Sequence, residues 1–162
     1  MTVFQEAEML RQVPFFEKVD LAKLKLVAFT SRAIQFAAGE TLMTKGEASD
    51  CAYVILEGEV EVLGETNAGE FVVTVIGCHA LVGEMSVILE GPRVATVRAK
   101  GAVRALRIAA DAFLRLLCEN PSCSQHVMRV LSARLSRATR HVETLTGQLQ
   151  QARLGTNGDA VT

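Results

Sequence analysis

Fifteen residues in the middle of the chain read G-E-M-S-V-I-L-E-G-P-R-V-A-T-V, from Gly83 to Val97. A carboxylate follows a glycine at one end, and an arginine follows a proline further on. Between Glu84 and Arg93 lies the apolar segment Met85 to Leu89, enough for one helical turn. This arrangement suits a ligand that carries a negative charge and hydroxyls side by side. Backbone N–H groups at the start of a helical turn point at an anion. An arginine fork pairs a phosphate at two points, and an ionised carboxylate accepts a hydrogen bond from a sugar hydroxyl. Pro92 fixes φ immediately before the arginine and limits its backbone.

Two blocks carry a resemblance: Gly83-Glu84-Met85-Ser86-Val87, and Pro92-Arg93-Val94-Ala95-Thr96. Their residue types and spacing resemble the phosphate-binding cassette of the cyclic nucleotide-binding domain. That domain is the sensor of protein kinase A regulatory subunits, cyclic-nucleotide-gated channels and the bacterial catabolite activator. The plain alternative is a capped turn between two strands with an incidental Glu84/Arg93 ion pair.

Outward from the cassette, nine of the twelve glycines fall between Gly39 and Gly101. The runs between them are short, alternating and rich in valine. They place strands at 33–36, 41–44, 52–56, 59–63, 71–76, 93–99 and 103–108. Short strands with glycine turns point to an antiparallel β-barrel or jelly roll rather than parallel βαβ units. The stretch Tyr53 to Val60, with Gly58 at its corner, resembles the family's strand–turn–strand, and Gly39-Glu40 and Gly46-Glu47 resemble its earlier turns. One turn departs from the pattern. His79 stands where the family usually has a glycine, and histidine enters the left-handed region only at a cost.

Both flanks are helical by period. From Val3 to Ala28 apolar residues recur at three- and four-residue steps. Pro14 separates two short helices there, Asp20 is placed to cap the second, and the aromatics are expected in the core. After the strands, Asp111 is placed to cap a helix ending at Asn120, and Pro121 opens a longer one. Along that helix Met128, Leu131, Leu135, Ala138, Val142, Leu145, Leu149 and Ala152 keep an unbroken heptad alternation of three and four. The seam fits either a homodimer or a lid packed on the chain's own strands. The expected organisation is therefore an α+β fold in one cyclic nucleotide-binding domain over residues 1–154. Helices occupy 1–30 and 110–154, the β-barrel 31–109 with the cassette at 83–97, and a disordered tail 155–162.

Composition narrows the class. At 162 residues, 49% apolar, the chain can form one domain with a sizeable core. A net charge of −1 gives no global attraction to nucleic acid or an acidic membrane. The four cysteines, Cys51, Cys78, Cys118 and Cys123, show no paired spacing. The start MTVFQEAEML lacks a signal peptide's basic region and apolar run, and no stretch approaches a membrane span. A reduced, cytoplasmic protein is the expectation. Cys118, Cys123 and His126 do not have zinc-site spacing. No motif supplies a nucleophile–base pair, so neither catalysis nor a cofactor is expected. The arginines Arg129, Arg134, Arg137 and Arg140 read as a solvated basic face.

The resemblance implies roles residue by residue. Arg93 would hold the exocyclic phosphate oxygens and Glu84 the ribose 2′-hydroxyl. Gly83 opens the cassette, and Met85, Ser86 and Val94 would lend backbone N–H groups. Some family members carry serine or threonine after the arginine, a hydroxyl that reaches the phosphate or a guanine amino group. Val94 does neither, which favours cAMP over cGMP. Val62, Val73 and Thr74 would line an apolar slot for the purine, although plain core packing explains the two valines equally well. The long helix would close the slot, with Thr139 reaching the base and Arg134 lying one turn before it. The implied function is a cAMP sensor that repacks its C-terminal helices to regulate a partner protein. The alternatives are the sensor part of a longer regulator of transcription, a kinase or a channel, and a dimerising scaffold. Neither direct DNA binding nor membrane contact is expected. The start at Met1 and the polar end favour a sensor acting on a separate partner.

Overall fold

Thr2 starts the first helix, α1 (Val3–Arg11), with a reciprocal cap. Its hydroxyl accepts from the Gln5 N–H at 3.2 Å, and the Gln5 side chain accepts from the Thr2 N–H at 2.9 Å. The computed structural model describes residues 1–159. Pro14 opens a single 3₁₀ turn, Pro14–Phe16, before α2 (Leu21–Thr30). Asp20 occupies the position before α2, yet its side chain makes no capping bond. The aromatics divide. Phe16 is fully buried, whereas Phe4 and Phe29 are exposed, and Phe4 lies beneath the Lys25 ammonium at 5.1 Å.

The described residues then form β1 (Arg32–Phe36), β2 (Thr41–Met43), β3 (Cys51–Glu57), β4 (Val60–Thr66), β5 (Gly69–Ile76), β6 (Leu81–Val82), β7 (Thr96–Ala99) and β8 (Val103–Ala109). All pair antiparallel in two four-stranded sheets, ordered β1-β8-β3-β6 and β2-β7-β4-β5. The fold is thus a jelly roll of two facing sheets rather than a closed barrel. β3 is buried along nearly its whole length. Cys51, Tyr53 and Ile55 join the core between the sheets with Leu42, Val60 and Val97, and Ala52, Val54 and Leu56 are buried as well. Helices α3 (Glu84–Leu89) and α4 (Ala110–Glu119) pack on the same strand. Cover on both faces makes Tyr53–Leu56 a continuous apolar run instead of an alternating one.

Two turns fix how the cassette is presented. Gly58 has φ +87°, and a Cβ there would stand 2.3 Å from the Ala102 carbonyl oxygen. His79 adopts φ 65° without being a glycine. Its N–H donates to the Ile55 carbonyl at 2.8 Å, and the Ile55 N–H donates to Ala80 at 2.9 Å. The imidazole Nδ1 is buried without a hydrogen-bond partner. The turn keeps its left-handed shape despite the substitution, at a cost of about 1 kcal/mol.

Several expected boundaries move. The strand expected from Arg93 begins only at Thr96, because Arg93 pairs with loop backbone: its N–H donates to Glu47 at 2.8 Å and its carbonyl accepts from Gly46 at 2.9 Å. Asp111 does not cap α4. The helix starts at Ala110, leaving Asp111 in the first turn, where its charge suits the helix dipole. The last helix, α5 (Pro121–Asp159), continues past Leu154, where a disordered tail was expected. Elongation adds a bond per residue once a helix exists, and the Thr156 hydroxyl donates back to Ala152 at 2.6 Å. Residues 160–162 of that expected tail lie outside the described residues.

The chain divides into two compact units, residues 1–124 and the residues from Gln125 onward. Within the second, Met128, Leu135, Val142, Leu145 and Leu149 are exposed along the heptad seam, Ala138 is exposed too, and Leu131 is half-buried. Among the described residues, no helix is long and apolar enough to cross a membrane.

Candidate functional site

Gly83 turns the chain from β6 into α3 with φ +82°. A Cβ there would meet Arg93 Nη1 at 2.6 Å and Met43 Cε at 2.8 Å, so only glycine lets the arginine approach. α3 is six residues long, close to the single turn expected, and ends on a second left-handed residue, Glu90. Pro92 and the bonds to Gly46 and Glu47 then hold Arg93 facing back across the turn.

Arg93 is buried, 4% exposed, and its guanidinium is gripped by neutral groups. Nη1 donates to the Gly83 carbonyl at 3.0 Å and to Ser86 Oγ at 3.2 Å. Nη2 donates to the Cys51 carbonyl at 2.7 Å and approaches Cys51 Sγ at 3.3 Å. Asp50 stands 3.9 Å from Nη2, but its side chain is 71% exposed and it bonds Arg107 at 2.9 Å. An exposed carboxylate at that distance compensates a buried charge poorly, and removing a cation from water costs several kcal/mol. The site therefore holds a cation set to gain from an incoming anion, on the order of 4 kcal/mol at 4 Å in an effective dielectric of about 20. Glu84 is buried at 4% exposure in the first turn of α3. Ser86 is buried beside Arg93, and Met85 is half-buried.

Titration reflects the same packing. Partial burial works to raise the Asp50 pKa, but the Arg107 charge and hydrogen bonds from Cys51 and Arg107 prevail and hold it below the usual carboxylate range. Burial pushes the Cys51 thiol up, against a hydrogen bond from Tyr53 and the Arg107 and Arg93 charges. Burial, reinforced by Cys51, pushes the Tyr53 phenol up to about 12. Burial thus favours the neutral form of the Cys51 thiol.

A second feature adjoins the cassette. Val62, Val73 and Val94 line one cleft of about 240 Å³ with Lys45, Ala95 and Thr96. Its volume lies just below the range of about 300 Å³ upward that holds drug-sized ligands. Val94 is half-exposed at its edge. Thr74, the register partner of Val62 beside an irregularity in the β4–β5 ladder, is exposed and lies outside that lining. Arg134 and Thr139 belong to the second unit, where the Thr139 hydroxyl donates to the Leu135 carbonyl at 2.9 Å.

Sequence reasoning passed over Asp50 and Cys51, which lie against Arg93 at the start of β3, and Ser49, which bonds Ser86 there. A polar pair placed immediately before the buried run from Cys51 to Leu56 is the signal that marks them.

Comparison with known proteins places the chain in a family. The chain is 27% identical over 139 residues to the CRP-like cAMP-activated global transcriptional regulator of Mycobacterium tuberculosis, covering 85% of this chain and 62% of that one. It therefore spans about three-fifths of that relative's length. The cAMP-bound regulatory domain of Toxoplasma gondii PKA superposes with a TM-score of 0.65 at 26% identity, over 70% of this chain and 43% of that one. The sensor domain of the transcriptional regulator DNR from Pseudomonas aeruginosa gives a TM-score of 0.75 at 22% identity, over 82% and 90%, which bears on the fold alone. The family model described as the cyclic nucleotide-binding domain matches residues 33–120, more than half of the chain and all of the cassette. This chain belongs to the cyclic nucleotide-binding domain family.

Proposed function

We propose that the chain is a sensor that binds cAMP in preference to cGMP and regulates a partner protein through its C-terminal helices. The observation that carries this reading is the buried Arg93 guanidinium, held by the Gly83 and Cys51 carbonyls and the Ser86 hydroxyl, with the exposed Asp50 carboxylate 3.9 Å away. A phosphate brings a negative charge to that buried guanidinium. Glu84 takes the ribose 2′-hydroxyl, and the N–H groups of Met85, Ser86 and Val94 complete the cradle. The cleft beside Val62, Val73 and Val94 takes the purine. Val94 lacks the hydroxyl that would reach a guanine amino group, hence the preference for cAMP.

Binding alone signals nothing. The nucleotide must bind one helix arrangement more tightly than another for the population to shift. Closure of the cassette turn around phosphate and repacking of the helices over the base provide that difference. The module has no catalytic step and needs no cofactor or metal beyond its ligand, and it works in the cytoplasm without touching DNA or membrane. Titration calorimetry with cAMP and cGMP tests the reading, on protein freed of retained nucleotide. Heat with cAMP and weaker binding of cGMP support it, and no heat with either ends it.

The exposed heptad residues Met128, Leu135, Val142, Leu145 and Leu149 favour a second component, a homodimer through α5. Light scattering decides it: a strict monomer at high concentration, with and without cAMP, removes the dimer. Coverage of only 62% of the Mycobacterium relative favours a further reading, the sensor part of a longer regulator.

A further inference from the structure

We propose that the side-chain hydroxyl of Ser86, backed by that of Ser49, is the group that positions the Arg93 guanidinium for phosphate. The inference rests on the nucleotide-binding reading above. It concerns the Ser86 side chain, whereas the family resemblance involves only its backbone N–H.

Ser86 is 2% exposed, and its hydroxyl uses all of its hydrogen-bonding capacity. It accepts from Ser49 Oγ at 2.9 Å and from Arg93 Nη1 at 3.2 Å, and it donates to the Gly83 carbonyl at 3.2 Å. Both acceptors of Nη1, Gly83 O and Ser86 Oγ, are therefore tied to one another by the same hydroxyl. Ser49 comes from the loop before β3 and Ser86 from α3, so the bond between them also locks α3 to the strand whose Cys51 carbonyl holds Nη2. Asp50 is a poor competitor for this task, being mostly exposed and bonded to Arg107. The consequence is chemical. A carboxylate positioner would spend the arginine's charge, whereas a hydroxyl fixes the fork and leaves that charge for an anion.

Replacing Ser86 with alanine removes the hydroxyl and keeps the backbone N–H, so S86A isolates this role. Two readouts are needed. In the unliganded protein, hindered rotation of a held guanidinium gives separate Arg93 Nη–H signals by ¹⁵N NMR, assigned by their loss in R93K. S86A should merge them and weaken cAMP binding about tenfold, the value of one lost bond to a charged group. S49A, one bond further out, should weaken it about threefold. An S86A protein that binds cAMP like wild type overturns the proposal, as does one that loses affinity with the Arg93 signals still resolved. If S86A fails to fold, S49A carries the same two readouts, and unchanged signals or affinity overturn it. A wild-type protein that binds no cyclic nucleotide defeats the functional reading instead, and the NMR arm still decides whether the serines hold Arg93.

Discussion

Arg93 Nη1 lies 3.0 Å from the carbonyl oxygen of Gly83, ten residues earlier in the chain. That single contact closes the cassette into a ring, with α3 on its circumference and the charge at its centre. It requires a fork, not merely a cation. We expect R93K to keep the charge but lose the two-sided grip, weakening cAMP binding about tenfold or more. Calorimetry on R93K checks this, and an affinity within twofold of wild type would show that the fork is dispensable.

Gly83 and Gly58 make a contrasting pair. Each has a left-handed φ and no room for a Cβ, at Gly83 because of Arg93 and Met43 and at Gly58 because of Ala102. Both G83A and G58A should lose about 1–3 kcal/mol of stability in urea. Only G83A displaces the guanidinium, so only G83A should also weaken nucleotide binding by the folded protein. Equal affinity losses in the two variants would detach Gly83 from the site.

Val94 is half-exposed at the edge of the cleft, so a hydroxyl there costs little burial. V94T should narrow the preference for cAMP over cGMP about threefold, the value of one neutral hydrogen bond. Competition binding with both nucleotides measures the ratio. A ratio unchanged by V94T removes Val94 from the account of selectivity.

Tyr53 is 7% exposed in the core beside Cys51, and burial, then Cys51, raises its phenol from 10.0 to about 12. The folded protein holds that proton more tightly than the unfolded chain does. The associated stability is complete below pH 10 and drains away as pH rises from about 10 through about 12. At pH 11 the loss should be about 1 kcal/mol relative to Y53F. Urea melts of both proteins at pH 9, 10 and 11 test this, and parallel curves would show that Tyr53 ionises freely.

How far the sequence could be read depended on the range of the signal. The placement of Glu84 and Arg93 on one turn was legible because a local motif in fixed register carries them, and Gly58 because a tight corner needs glycine at that point. β6 was not legible: Leu81–Val82 is two residues long, too short to alternate. The start of β7 was misplaced because Arg93 looks like strand, while its bonds to Gly46 and Glu47 keep it outside the ladder. The tail past Leu154 looked polar and unstructured, yet helix elongation carries α5 to Asp159. His79 signalled a departure from a glycine turn, and the structure shows the turn kept with φ 65°. The grip on Arg93 was the least visible part. Ser49 and Ser86 are 37 residues apart and meet only because β3 and α3 pack together.

In the proposed function Arg93 and Glu84 bind a cyclic nucleotide. Titration calorimetry of the nucleotide-free protein with cAMP, set beside R93K, decides whether they do. One site per chain, with affinity reduced about tenfold or more in R93K, is the predicted result. No heat of binding in wild type, or binding that R93K leaves intact, would contradict it.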